Sequence, residues 1–151
     1  MNDDLLQLHR WADGLLAKLS PASRTQLARE IVRHLRQSQS QRIAVQKNPD
    51  GSPFASRKPQ LRSKKGRIRR QMFRKLRTAR YMKGKGDGQG ATISFISSVR
   101  HMAAVHQYGL RDRVNRYELE VDYPQRQLLG FSATDMQQIE DLITKYINVI
   151  C

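Results

Sequence analysis

One cysteine, Cys151, is all the thiol chemistry in this sequence. Without a second thiol there is no intrachain disulfide framework, which agrees with folding in a reducing cytoplasm. No stretch approaches the roughly 20 apolar residues needed to span a bilayer. The opening MNDDLLQLHR carries two carboxylates and no early cation, the wrong charge for a secretory leader. These absences predict a soluble protein with no membrane partner. The apolar share of 38% is low. It suffices for a modest core and predicts that part of the chain packs only against partners.

The most informative absence is local. Residues 57–85 contain no carboxylate, yet hold 14 of the 28 Lys and Arg in a chain of formal net charge +15. Such a block needs an anionic partner, or it stays solvated and self-repelling. Only Phe73 and Tyr81 interrupt it as aromatics, too few for a base-stacking platform. The cations available to a partner are Arg57, Lys58, Arg62, Lys64, Lys65, Arg67, Arg69, Arg70, Arg74, Lys75, Arg77 and Arg80. They fit either phosphates, with counterion release, or an acidic protein surface.

Length fits one domain over residues 1–151, with an extended basic arm and helix at about 48–85. Leu5, Leu8, Ala12, Leu15, Leu16 and Leu19 recur at three- and four-residue steps and predict a helix over 3–19. Ser20 as N-cap and Pro21 at the first helical position start a second, carrying Leu27, Ile31 and Leu35, so the two form a helical hairpin. Asn48–Pro53 is turn chemistry, and 54–63 reads as an arm. At 100° per residue Ile68, Met72, Leu76, Ala79 and Met82 share a stripe, predicting a basic helix over 64–82 that Gly84–Gly90 ends as a flexible turn.

Alternation predicts strands at 91–96 and 117–121, pairing with each other, and a possible third at 126–131. His101–Tyr108 reads as a short helix closed by Gly109. Ser132 with Asp135 opens a last helix, whose face of Met136, Ile139, Leu142, Ile143, Tyr146 and Ile147 is expected on the sheet. The fold class is α+β: N-terminal helical hairpin, extended arm and basic helix, small antiparallel sheet, C-terminal helix.

Catalytic signals are weak. Gly86-Asp87-Gly88-Gln89-Gly90-Ala91 has the spacing of a dinucleotide fingerprint, but the strand follows it instead of preceding it, so it reads as a connection. His9, His34, His101 and His106 form no i,i+4 pair, and no Cys or carboxylate cluster joins them at ligand spacing. His106 is expected in packing or a turn contact. No cofactor, metal or catalytic residue is predicted.

A resemblance runs through most of the chain in order. Its blocks are Gln41-Arg42; Pro49-Asp50-Gly51-Ser52-Pro53-Phe54 with Arg57-Lys58; Ser63 to Phe73, continuing into Lys75-Leu76-Arg77; Val105-His106-Gln107-Tyr108-Gly109-Leu110-Arg111-Asp112; and Tyr123-Pro124, Arg126 and Leu128-Leu129-Gly130-Phe131-Ser132. In these the sequence resembles the phage virion morphogenesis family, best known for tail-completion proteins of contractile-tailed phages. The resemblance implies a structural virion protein, not an enzyme, that completes the head-proximal end of the tail and readies it for head joining. It also implies a ring, six copies by the tail's symmetry or twelve as the alternative. The implied neighbours are the tail terminator, tube or sheath and head–tail connector proteins, met first in the host cytoplasm. Whether the basic block meets protein or passing DNA stays open, and a basic nucleic-acid-binding protein of a phage or mobile element is the competing reading.

Overall fold

The computed structural model describes residues 2–57, 71–113 and 119–150. In chain order these form helices α1 (Asn2–Leu16) and α2 (Pro21–Ala44), strands β1 (Met82–Asp87) and β2 (Gly90–Phe95), helix α3 (Ser97–Tyr108), strands β3 (Arg111–Arg113) and β4 (Glu120–Asp122), and helix α4 (Ala133–Ile150). Contacts divide the chain into two compact units. The first comprises residues 1–38, 83–94 and 131–151; the second comprises 39–82 and 95–130.

The first unit is a helical core with a β-hairpin. Ala12, Leu19, Leu27, Leu35, Ile139 and Ile143 are its buried centre, with Leu8, Leu15, Leu16, Ile31, Leu142, Tyr146 and Ile147 packed around them. These are largely the periodic positions the sequence picks out, and their burial is the main stabilising contribution. Both expected caps form. Ser23 N–H donates to Ser20 Oγ at 3.2 Å at the start of α2. Ser132 N–H donates to Asp135 Oδ2 at 3.1 Å while Asp135 N–H donates to Ser132 Oγ at 3.0 Å, a reciprocal capping box.

Asp135, only 1% exposed, also accepts a short hydrogen bond from Ser38 Oγ and lies 3.5 Å from His34 Nε2. Ser, His and Asp thus meet, but with the carboxylate in the middle. A hydrolytic triad needs the imidazole between nucleophile and acid, so this cluster is a helix-start clamp. An apolar groove of about 760 Å³ opens between α1 and α2, lined by Leu5, Leu16, Leu27, Ile31 and Phe131 among others.

Several sequence expectations are corrected here. Residues 71–81, assigned to the basic helix over 64–82, are successive turns, and Met82 begins β1; the part from 64 to 70 lies outside the described residues. Gly84–Gly90, expected as a flexible turn, is most of a hairpin. Asp87 Oδ1 accepts from Gln89 and Gly90 N–H at 2.8 and 3.1 Å, an Asx turn that fixes the two-residue loop. Strand β2 pairs with β1, and β4 pairs antiparallel with β3, so the strands expected at 91–96 and 117–121 do not pair with each other. Local hairpins of short connection formed instead of the longer pairing. Residues 126–131 form no strand: Arg126 N–H donates to His106 O, and backbone groups of 127–130 bond to the side chains of Gln39, Arg42, Asn48 and Gln107. Finally, α4 buries its apolar face in the helical core, with Ile93 the sheet residue packed against that cluster.

Candidate assembly interface

The second unit is built around two buried guanidinium groups. Arg42, 9% exposed, is fixed by the C-terminal turn of α2. Its Nη1 donates to Lys47 O and Gln127 O, both at 2.8 Å. Its Nη2 donates to Leu128 O at 2.7 Å and Gln39 Oε1 at 2.5 Å. One planar fork thus ties a helix end to the irregular segment 127–128, satisfying carbonyls that a strand would otherwise pair. Gln39, 2% exposed, continues the tie: Nε2 donates to Gly130 O at 2.7 Å, and Gly130 N–H donates back to Oε1 at 3.2 Å. Gln107 does the same with Leu129, at 2.8 and 2.9 Å. Asn48 Oδ1 accepts Gln127 N–H at 2.9 Å.

Arg126, 4% exposed, is the second hub. Nε donates to Ala55 O at 2.7 Å and Nη2 to Ser56 O at 3.1 Å. Nη1 lies 3.4 Å from His106 Nδ1. Burial, followed by the neighbouring Arg57 charge, lowers the Arg126 pKa. The arrangement holds the chain where it leaves Phe54 towards residue 58.

The chain at Met72 and Phe73 is held equally firmly. Gln46, at φ 59°, donates from Nε2 to Met72 O at 2.9 Å and accepts Met72 N–H at Oε1 at 3.1 Å. Phe73, at φ 63°, lies edge-on to Phe54 with centroids 5.9 Å apart, and edge-on to His106 at 4.7 Å. His106 in turn meets Tyr123 at 5.1 Å. Two non-glycine residues in the left-handed region are uncommon. Both sit where the chain is drawn back to meet Phe54, so the strain is placed at a closure. Phe54 and Phe73 therefore form a clasp. The arm expected at 54–63 and the first part of the basic helix lie mostly outside the described residues.

Of the sequence-selected cations, Arg57, Arg74, Lys75 and Arg80 are exposed on the described surface. Arg77 is half-buried, with Nη1 3.3 Å from Ser40 Oγ, and Arg80 lies 5.5 Å from the Tyr81 ring centroid. Lys58, Arg62, Lys64, Lys65, Arg67, Arg69 and Arg70 lie outside the described residues. Sequence reasoning missed Arg42, Gln39 and Arg126 as organising residues. For Arg42 and Arg126 the available signal was their place inside the blocks that carry the resemblance; Gln39 lies outside them.

His106 packs as expected. Burial, and secondarily the Arg126 charge, hold its pKa below the ordinary imidazole value. Its ring is enclosed by Phe73, Tyr123 and Arg126, with no nucleophile hydrogen-bonded to it among the described residues. Among those residues no group of three or more His, Cys, Asp or Glu is placed to hold a metal. Among the described residues no helix is long and apolar enough to cross a membrane.

The blocks that carry the resemblance converge on this unit. Arg42, Pro49–Phe54, Phe73, Val105–Gly109, Tyr123, Arg126 and Leu128–Gly130 are its clasp and hubs. Comparison with known proteins agrees. The tail completion protein S of Escherichia phage P2 is 40% identical over 137 residues, covering 89% of this chain and 91% of that protein. No solved structure matches. The phage virion morphogenesis family matches residues 3–148, from the first turn of α1 to the last turn of α4, and the chain belongs to that family.

Proposed function

We propose that this protein is a structural virion component that completes the head-proximal end of a phage tail and makes it competent to join the head, without a catalytic step. Supporting this is a likeness spanning nearly the whole chain to a tail completion protein. The observation that supports the mechanism is the acid-free cationic block at 57–85, whose described residues Arg57, Arg74, Lys75 and Arg80 are exposed beside the Phe54–Phe73 clasp. The protomers close into a ring of six, with twelve the alternative, through heterologous contacts in which this basic segment engages a neighbouring subunit or tail protein. The tail terminator, tube or sheath and connector proteins lie on either side. Tail components assemble in the host cytoplasm and end in the virion.

Arginine geometry provides the test. Guanidinium forks pair bidentately with carboxylates where lysine cannot, whereas counterion release depends to first order on charge. Replacing Arg67, Arg69, Arg70, Arg74 and Arg77 together by Lys is expected to impair tail completion in extracts lacking the wild-type protein. Intact completion by the all-Lys protein would remove the protein-contact role from these arginines.

A further inference from the structure

The first unit carries a cationic surface built by β1, β2 and α2. Strand β1 alternates lysine with glycine, and each type faces one side. A Cβ on Gly84 would collide with Val32 Cγ1, and one on Gly86 would lie 2.8 Å from Ala28 C and Arg29 N. The glycines therefore let β1 lie backbone-to-backbone on α2. The two-residue period turns Lys83 and Lys85 to the opposite, exposed side. On β2 the inward residue is Ile93, whose Cδ1 is 3.2 Å from the Gly84 Cβ position, so Thr92 and Ser94 face outward beside the lysines.

Arg29, Arg33 and Arg36 follow at four- and three-residue steps on α2, which makes one stripe. Arg36 Cδ lies 3.5 Å from the Gly84 Cβ position, so the stripe flanks the strand. Five cations thus share a surface with two carboxylates. Asp87 is engaged by two backbone N–H groups and lies 3.8 Å from Lys85 Nζ, and Glu30 is hydrogen-bonded to Tyr146.

We propose that this surface binds the phosphate backbone of a nucleic acid, without reading its sequence. Lys, Arg, Ser and Thr are side chains that contact phosphates, and apart from Asp87 the outward residues of the strands, Lys83, Lys85, Thr92 and Ser94, are all of these kinds. Such contacts carry no sequence information. A protein interface would need an apolar centre. Among the described residues of this unit the exposed large hydrophobics are Leu5, Leu6, Trp11, Phe131 and Val149, none of them on the hairpin.

The test uses the intact purified chain and a short mixed-sequence DNA duplex, and so does not depend on the tail assignment. Each phosphate neutralised contributes about 0.9 to the slope of log K against log salt. The triple substitution Arg33→Gln, Lys83→Gln and Lys85→Gln is expected to lower that slope by about 2.7. Lys83→Arg with Lys85→Arg is expected to leave it unchanged. A charge-matched control, Arg10→Gln with Lys18→Gln and Lys145→Gln, alters cations that this face does not include and is expected to have no effect. Far-ultraviolet circular dichroism establishes that all variants are folded. An unchanged slope in the hairpin triple overturns the proposal, and tail completion failing in that same variant would then assign the face to an acidic protein. An equal fall in the control triple overturns it too, since net charge alone would be responsible.

Discussion

Substituting Arg42 by methionine is the sharpest perturbation of the second unit. Methionine keeps an unbranched apolar stem of similar course but removes all four hydrogen bonds of the fork. The acceptors left behind include Leu128 O, on a residue that is 0% exposed, while Gln39 Oε1 keeps only the Gly130 N–H. A buried acceptor stranded in this way costs about 1–3 kcal/mol. Loss of the buried charge's own desolvation penalty and local relaxation offset part of the sum. Hydrogen bonds from a charged donor contribute about 1.5–3 kcal/mol each, so with these offsets a net loss of about 3–5 kcal/mol is expected here. With a urea dependence of about 2 kcal/mol per molar, the unfolding midpoint falls by about 2 M. Equilibrium urea titration followed by circular dichroism measures this. Hydrogen exchange localises it to residues 39–54 and 119–130. Arg42→Lys, which keeps the charge but loses the fork, is expected to recover less than half of the loss. A Met variant within about 1 kcal/mol of wild type, or a Lys variant equal to it, would refute the reasoning.

Other perturbations give distinct readouts. The lowered pKa of His106 means that the unfolded chain takes up its proton first as pH falls; this group's contribution is complete above about pH 6.5 and is lost as pH drops towards the folded value. Urea midpoints between pH 5 and 8 should show that decline, and it should flatten in His106→Phe. Gly86→Ala places a methyl against the α2 backbone and is expected to cost about 1–3 kcal/mol by thermal unfolding. Gly90→Ala, with nothing within 4 Å of the added carbon, should be far milder. Arg126→Ala releases Ala55 and Ser56 from their anchor. Trypsin should then cut in the 57–70 region markedly faster, with cleavage elsewhere unchanged, as gel or mass mapping would reveal.

What the sequence disclosed follows from which forces act locally. The helices α1, α2 and α4 were legible because apolar periodicity and caps are local signals, and Ser20, Pro21, Ser132 and Asp135 bound them correctly. The stretch from 71 to 90 was not. Leu76 and Met82 do share burial, but through turns, and a 100° stripe drawn through them matched a helix that does not form. Met82–Asp87 already showed a two-residue alternation. Its packing side is glycine, however, so hydrophobicity gave no contrast and the alternation passed for flexibility. The hubs were illegible for another reason. Arg42 and Arg126 look like any surface cation until irregular backbone from residues 55, 56, 127 and 128 is brought to them, which is a purely tertiary event. The quoted family blocks located them without explaining them.

The Phe54–Phe73 clasp also governs how the molecule can vary. The ring contact of Phe54 with Phe73 and the paired hydrogen bonds of Gln46 with Met72 use residues on either side of the seven cations between 58 and 70. Substitutions among those cations remove none of the contacts described for this unit. The charges that a neighbour meets can therefore be rewritten in sequence while Arg42, Arg126 and the rings keep their partners.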